Sequence, residues 1–240
     1  MWQRQLKKYI RSKARILALL GQPLLFLLVF GLGFKNVYKA AGQGNYLDLL
    51  APGIIVQSVV FTAVFSGIEV IWERQFGFLK ETLVAPVSRF SIMMGKTLGG
   101  ATVALIQGIV VFIICVVAGF KPIGGVWDAF GALFFLGVMF SAFGVGLASK
   151  LKDMQAFPIV MNFMVMPLFF LSGALFPLEN APKVLDILNK IDPVSYGVDM
   201  VRGSLTGVYH FSSNTDTAVL LLVTLLVLFW ATLAFRKIEA

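Results

Sequence analysis

Residues 49–71 read LLAPGIIVQSVVFTAVFSGIEVI, twenty-three positions in which the only ionisable side chain is Glu69, near the end. A helix rising ~1.5 Å per residue needs about 20 apolar residues to cover a hydrocarbon layer of ~30 Å, so this stretch is long enough to cross a bilayer. Five more of comparable length occupy residues 16–34, 97–120, 129–149, 154–178 and 217–235, and none contains a charged side chain. Hydrocarbon offers no hydrogen-bond partners, so each span must satisfy its own backbone. Runs this long and continuously apolar read as helices, not as the alternating strands of a barrel. The sequence therefore predicts an all-α integral membrane protein of six transmembrane helices, a single domain over residues 1–240.

Composition points the same way: 58% of residues are hydrophobic, 13% are charged, and mean hydropathy is +0.88. The net charge of +8 is distributed as a topology signal rather than as a nucleic-acid footprint. Fourteen of the 20 Lys and Arg residues fall before the first span, between the second and third, between the fourth and fifth, and after the sixth. The positive-inside rule makes those segments cytoplasmic, with both termini inside and an even number of crossings. The expected location is the cell membrane, plasma or inner.

Before the first span, Trp2, Leu6, Tyr9 and Ile10 recur at helical spacing, with Arg4, Lys7, Lys8 and Arg11 on the other face. That pattern predicts an interfacial helix within residues 1–15. The run to residue 34 is long for a cleaved leader, and Pro23 with the following Leu and Phe residues suits a retained span.

The connection after the second span, residues 72–90, reads WERQFGFLKETLVAPVSRF. Phe76, Leu79 and Leu83 share a helical face while Lys80 and Glu81 project elsewhere, so a short amphipathic helix is expected, ended by Pro86, with Ser88 capping the next helix. This run resembles the coupling region of the type-2 ATP-binding-cassette exporter permeases through Glu73, Arg74, Gly77, Leu79, Glu81, Leu83, Pro86, Ser88 and Arg89. A second match, DPVSYGVDMVRG at 192–203, resembles that family's element before its last span through Asp192-Pro193, Tyr196 and Arg202. The resemblance extends to drug-resistance, nodulation-factor and polysaccharide-exporting permeases. It implies a permease subunit of an ATP-driven exporter whose coupling residues are Glu73, Arg74, Gly77, Leu79, Lys80, Glu81, Leu83, Pro86 and Arg89. It also implies a separate ATPase subunit that uses ATP and Mg, a second permease copy in a homodimer, and re-entrant helices within residues 179–213. The cargo would be amphipathic, lipid-like, glycan or drug-type.

In that outer segment Asn180 with Pro182 and Asp192 with Pro193 each pair a capping side chain with a first-turn proline, so two short helices are expected. Val184, Leu185, Ile187, Leu188 and Ile191 stripe the first; Val194, Val198, Val201 and Leu205 stripe the second. Asp199 and Arg202, three apart, can form an ion pair and are gating candidates together with Glu69, which is expected to pair with Arg74 or Lys80. Candidate path residues are Gln57, Ser58, Phe61, Thr62 and Phe65 on the second span, with Asn162, Met166, Phe169 and Phe170 on the fifth. Small residues four apart, Gly95 and Gly99, Gly137 and Ser141, Gly144 and Ala148, allow close helix contacts.

The chain itself is not expected to be catalytic. Gly95-Lys96-Thr97 lacks the glycine and preceding strand of a phosphate-binding loop. Cys115 and His210 are each the only residue of their type, which leaves no metal cluster or Cys-His pair, and no cofactor is expected. The rival reading is a stand-alone channel or secondary transporter, which needs a polar-lined pore or paired intramembrane charges; Glu69 alone supplies neither.

Overall fold

The computed structural model describes residues 1–40, 45–151, 153–176 and 182–238, and every regular element among them is an α-helix. In chain order these are α1 (Trp2–Arg11), α2 (Lys13–Ala40), α3 (Tyr46–Phe65), α4 (Ile68–Gln75), α5 (Phe78–Val84), α6 (Arg89–Val117), α7 (Val126–Lys150), α8 (Ala156–Leu171), α9 (Lys183–Ile191), α10 (Pro193–Thr206) and α11 (Ser213–Arg236). Among the described residues, five helical stretches are long and apolar enough to cross a membrane: Ile16–Phe34 in α2, Tyr46–Gln75 across α3 and α4, then α6, α7 and α11.

The fifth expected span differs. Within residues 154–178 the helix is α8, only 16 residues long, and it ends in a turn where Gly173 takes the left-handed conformation at φ 71°. Residues 177 and 178 lie outside the described part.

At the centre stands α3, flanked by α2, α6, α7 and α10, and sixteen of its residues are buried. Its spacing from α7 is set by absent side chains. A Cβ on Gly144 would come within 2.3 Å of the Val64 carbonyl oxygen, and one on Gly67 within 2.3 Å of the Gly144 backbone. Where α6 crosses both, a Cβ on Gly100 would strike the hydroxyls of Ser66 and Ser141, which bond each other at 3.0 Å. Helices in lipid gain little from apolar burial, so close backbone approach and interhelical hydrogen bonds hold such a bundle together. Of the expected small-residue pairs, Gly137, Ser141 and Gly144 serve this internal packing, while Gly95 and Gly99 face α1, against Met1 and Gln5.

The outer helices split in behaviour. Asp192 caps α10 by accepting from the Val194 N–H at 2.8 Å, with Pro193 in the first turn, as the sequence predicts. The apolar stripe of α10, Val194, Val198, Val201 and Leu205, is buried. That of α9, Val184, Leu185, Ile187, Leu188 and Ile191, is exposed along its length. Asn180, the other expected cap, lies outside the described residues.

Candidate functional site: the elbow between the second and third long helices

Tyr46 to Ser66 measures roughly 30 Å along a helix axis, about one hydrocarbon thickness, and α4 continues beyond that length. There the helix meets α1. Lys8 pairs with Glu69 at 3.4 Å, and Glu73 is clasped between Arg4 of α1 and Lys96 of α6. Lys96 is only 1% exposed, so its charge depends on that carboxylate. The two carboxylates and the two α1 cations are each four residues apart, one turn on either helix, which makes the contact a two-rung ladder.

This arrangement alters two expectations. The basic face of α1 does not look wholly to lipid headgroups, because Arg4 and Lys8 turn inward. The helix runs alongside α6, with the Trp2 indole N–H donating to Thr102 at 2.9 Å and the Tyr9 hydroxyl to Gln107 at 2.6 Å. Glu69 meets Lys8, and Arg74 instead donates to the carbonyls of Leu151 and, at 3.4 Å, Ser149 at the end of α7. Lys96, in the tripeptide that loosely imitates a phosphate loop, is a structural cation.

Gly77, at φ 79°, turns the chain between α4 and α5, a conformation other L-residues adopt only with strain. On α5, Leu79 is fully buried, Thr82 is buried and Leu83 half-buried, whereas Phe78, Lys80, Glu81 and Val84 are exposed. Phe76 departs from the expected buried face: it closes α4 rather than joining α5, and is 62% exposed. Past α5, Pro86 sits in the exposed turn and Ser88 caps α6, accepting from the Ser91 N–H at 3.1 Å. Arg89 reaches across to the carbonyls of Arg236 and Ile238, tying the elbow to the end of α11. The elbow is thus a short helix pinned on one face, with apolar and charged side chains free on the other.

The remaining candidates lie elsewhere. Gln57, Ser58, Phe61 and Thr62 are buried within the bundle, and both amide atoms of Gln57 are sealed from solvent without a hydrogen-bond partner. Phe61 stacks on Phe65, which meets Phe157 of α8 edge-on. On α8, Phe169 is buried, Met166 half-buried, and Asn162 and Phe170 exposed. No single wall gathers these residues.

Asp199 and Arg202 do not form the expected pair. Asp199 accepts from the N–H groups of His210 and Phe211 at 2.8 and 2.7 Å, and Arg202 donates to the Gly173 carbonyl at 2.7 Å. Burial lowers the Arg202 pKa from its usual value, with Asp199 and Tyr38 opposing that shift. Both side chains border an outer cavity of about 100 Å³ with Asn189, Ser195, Tyr209 and Phe211. Among the described residues, no group of three or more potential ligands is placed to hold a metal ion.

Residues 1–206 match the family model described as ABC-2 type transporter. The chain is 30% identical over 234 residues to the putative transport permease ycf38 of Cyanophora paradoxa, covering 90% of this chain and 81% of that protein. It is 31% identical over 222 residues to the putative transport permease ycf38 of Porphyra purpurea, covering 89% and 73%. Nodulation protein J of Rhizobium leguminosarum bv. trifolii is 25% identical over 213 residues, covering 86% and 80%.

Proposed function

This chain belongs to the ABC-2 type transporter family, and we propose that within it the chain is the permease half of an ATP-driven exporter, taking force from a separate ATPase subunit through the α4–α5 elbow. The observation that carries this reading is the two-sidedness of α5. Leu79 and Thr82 anchor it while Phe78, Lys80, Glu81 and Val84 stand free, as a surface built to receive a partner. The ATPase binds ATP and Mg; this chain holds the path. Closure of the ATPase pushes α5, and Gly77, the Arg4–Glu73–Lys96 and Lys8–Glu69 contacts, and the Arg89 link pass that push to α1, α6 and α11.

In the same reading α8 and the residues after it make the fifth of six crossings, both termini are cytoplasmic, and the protein resides in the cell membrane. The exposed stripe of α9 favours an α9–α10 pair that re-enters the outer leaflet, since apolar side chains facing lipid need no protein cover. Two copies enclose the path, with the exposed residues of α8 facing the partner and the unpartnered Gln57 amide finding hydrogen bonds when the path opens. Glu69, Asp199 and Arg202 belong to the moving parts at the two ends. The cargo is amphipathic: a lipid, glycan or drug-like molecule.

The test is reconstitution in liposomes with and without an ATP-binding-cassette ATPase that copurifies with this chain, against a panel of lipids, glycans and drugs. Efflux that requires the ATPase and hydrolysable ATP supports the proposal. Efflux at the same rate from the chain alone favours a channel or secondary transporter.

A further inference from the structure

The corner where α1 turns into α2 holds a groove of about 550 Å³ lined by Arg4, Lys7, Lys8, Arg11 and Ser12, with no carboxylate lining it among the described residues. Arg4 and Lys8 are shared with Glu73 and Glu69 on the far side. Lys7 and Arg11 lie one turn apart, are exposed, and have no ion-pair partner among the described residues. The groove lies at the depth of Glu69 and Glu73, which the length of α3 places at the inner edge of the apolar layer. Beyond it, Leu17, Leu25, Leu28 and Leu32 form an exposed rail along one face of α2.

We propose that this corner binds an anionic phospholipid of the cytoplasmic leaflet, its phosphate held by Lys7 and Arg11 and its acyl chains lying along the leucine rail of α2. The pairing follows from chemistry. Unneutralised cations at headgroup depth attract a negative headgroup, and the exposed apolar face of the helix that follows takes hydrocarbon, whereas a soluble anion would use the cations and leave that face bare. Because Arg4 and Lys8 also hold the elbow's carboxylates, an occupied groove pins α1 against α4. The depth of the groove rests on the membrane placement proposed above, but lipid retention is read on the chain without its ATPase, so its failure leaves the transport reading standing.

The purified full chain is examined by native mass spectrometry after equilibration with phosphatidylglycerol or phosphatidylcholine. The proposal expects preferential retention of phosphatidylglycerol, ~30-fold weaker in the Lys7→Gln/Arg11→Gln double variant and unchanged in a Lys121→Gln/Lys183→Gln control. Excess inorganic phosphate should not displace the lipid. Equal retention of the two lipids, an unaffected double variant, or displacement by phosphate would each overturn it. A readout free of charge variants is tryptophan quenching: brominated phosphatidylglycerol should quench the unaltered chain more than brominated phosphatidylcholine. Equal quenching by the two lipids counts against the site.

Discussion

Glu73 has one carboxylate and two cations, and the cation that depends on it most is Lys96, which water does not reach. Removing one partner of a buried pair strands the other and costs about 3–5 kcal/mol, whereas replacing both by apolar groups is often neutral. Glu73→Gln should therefore lower thermal stability in detergent sharply, and adding Lys96→Met should restore much of it; equal losses in the single and double variants would show that the pair is not coupled. Gln57 presents the opposite case, a buried amide with both ends unsatisfied. Gln57→Leu should leave the resting protein as stable or more so, by about 1–3 kcal/mol, while slowing transport if that amide meets the cargo or its water. A loss of stability would mean that the amide is paired after all.

Asp192 combines a cap with a pH response. Burial pushes its carboxyl up to about 7 from 3.8, against the pull of the Val194 N–H and the Ser195 hydroxyl. A raised value means that the folded state holds its proton more tightly than the unfolded chain. Its contribution to stability is therefore full below the ordinary carboxylate range, declines as pH rises from about 4 to 7, and stays low above that. Asp192→Asn keeps an oxygen to accept from Val194 and removes the titration, so its melting temperature should depend less on pH across that interval. An unchanged pH profile would locate the titration elsewhere.

At the scale of elements, the elbow was legible in part. Leu79 and Leu83 as the inward face, Pro86 as the terminator and Ser88 as the cap all follow from side-chain chemistry within one turn, and the structure has each. What periodicity did not reveal is that Gly77 separates two helices, which takes Phe76 off the inward face. The ladder to α1 was equally hidden, because Arg4 and Glu73 stand 69 residues apart. Its trace in the sequence is the matching four-residue spacing of Arg4 and Lys8 with Glu69 and Glu73. Asp199 and Arg202 failed as a pair because backbone groups of the following loop and of the turn after α8 were better placed to satisfy them.

Two outcomes belong to this scale. Gly77→Ala has open space for its methyl but an unfavourable φ, so it should cost about 1–2 kcal/mol locally and weaken ATPase coupling more than expression. Glu81→Lys, on the exposed face of α5, should leave stability within about 0.5 kcal/mol while reducing copurification of the ATPase. Intact coupling in both variants would remove α5 from the docking surface.

At the scale of the whole molecule, hydropathy finds most of the long apolar helices because the cost of unsatisfied backbone in hydrocarbon leaves such a chain few alternatives. The exception is instructive. Residues 154–178 are apolar throughout, yet Gly173 ends the helix early, and composition alone does not distinguish a full crossing from a short helix followed by a turn. The bundle's packing was less legible still, since a glycine in the sequence does not say which neighbour it admits: Gly144 receives the α3 backbone and Gly99 receives Gln5.

The central claim is that α5 faces the cytoplasm and is covered by an ATPase when the exporter is assembled. It is tested most directly by placing a single reactive thiol on its most exposed apolar residue, Val84→Cys, beside the buried native Cys115. The account predicts that a membrane-impermeant maleimide leaves this thiol untouched in intact cells, labels it in inverted vesicles stripped of the ATPase, and fails again once the ATPase is restored. Labelling from outside intact cells, or labelling indifferent to the ATPase, would contradict it.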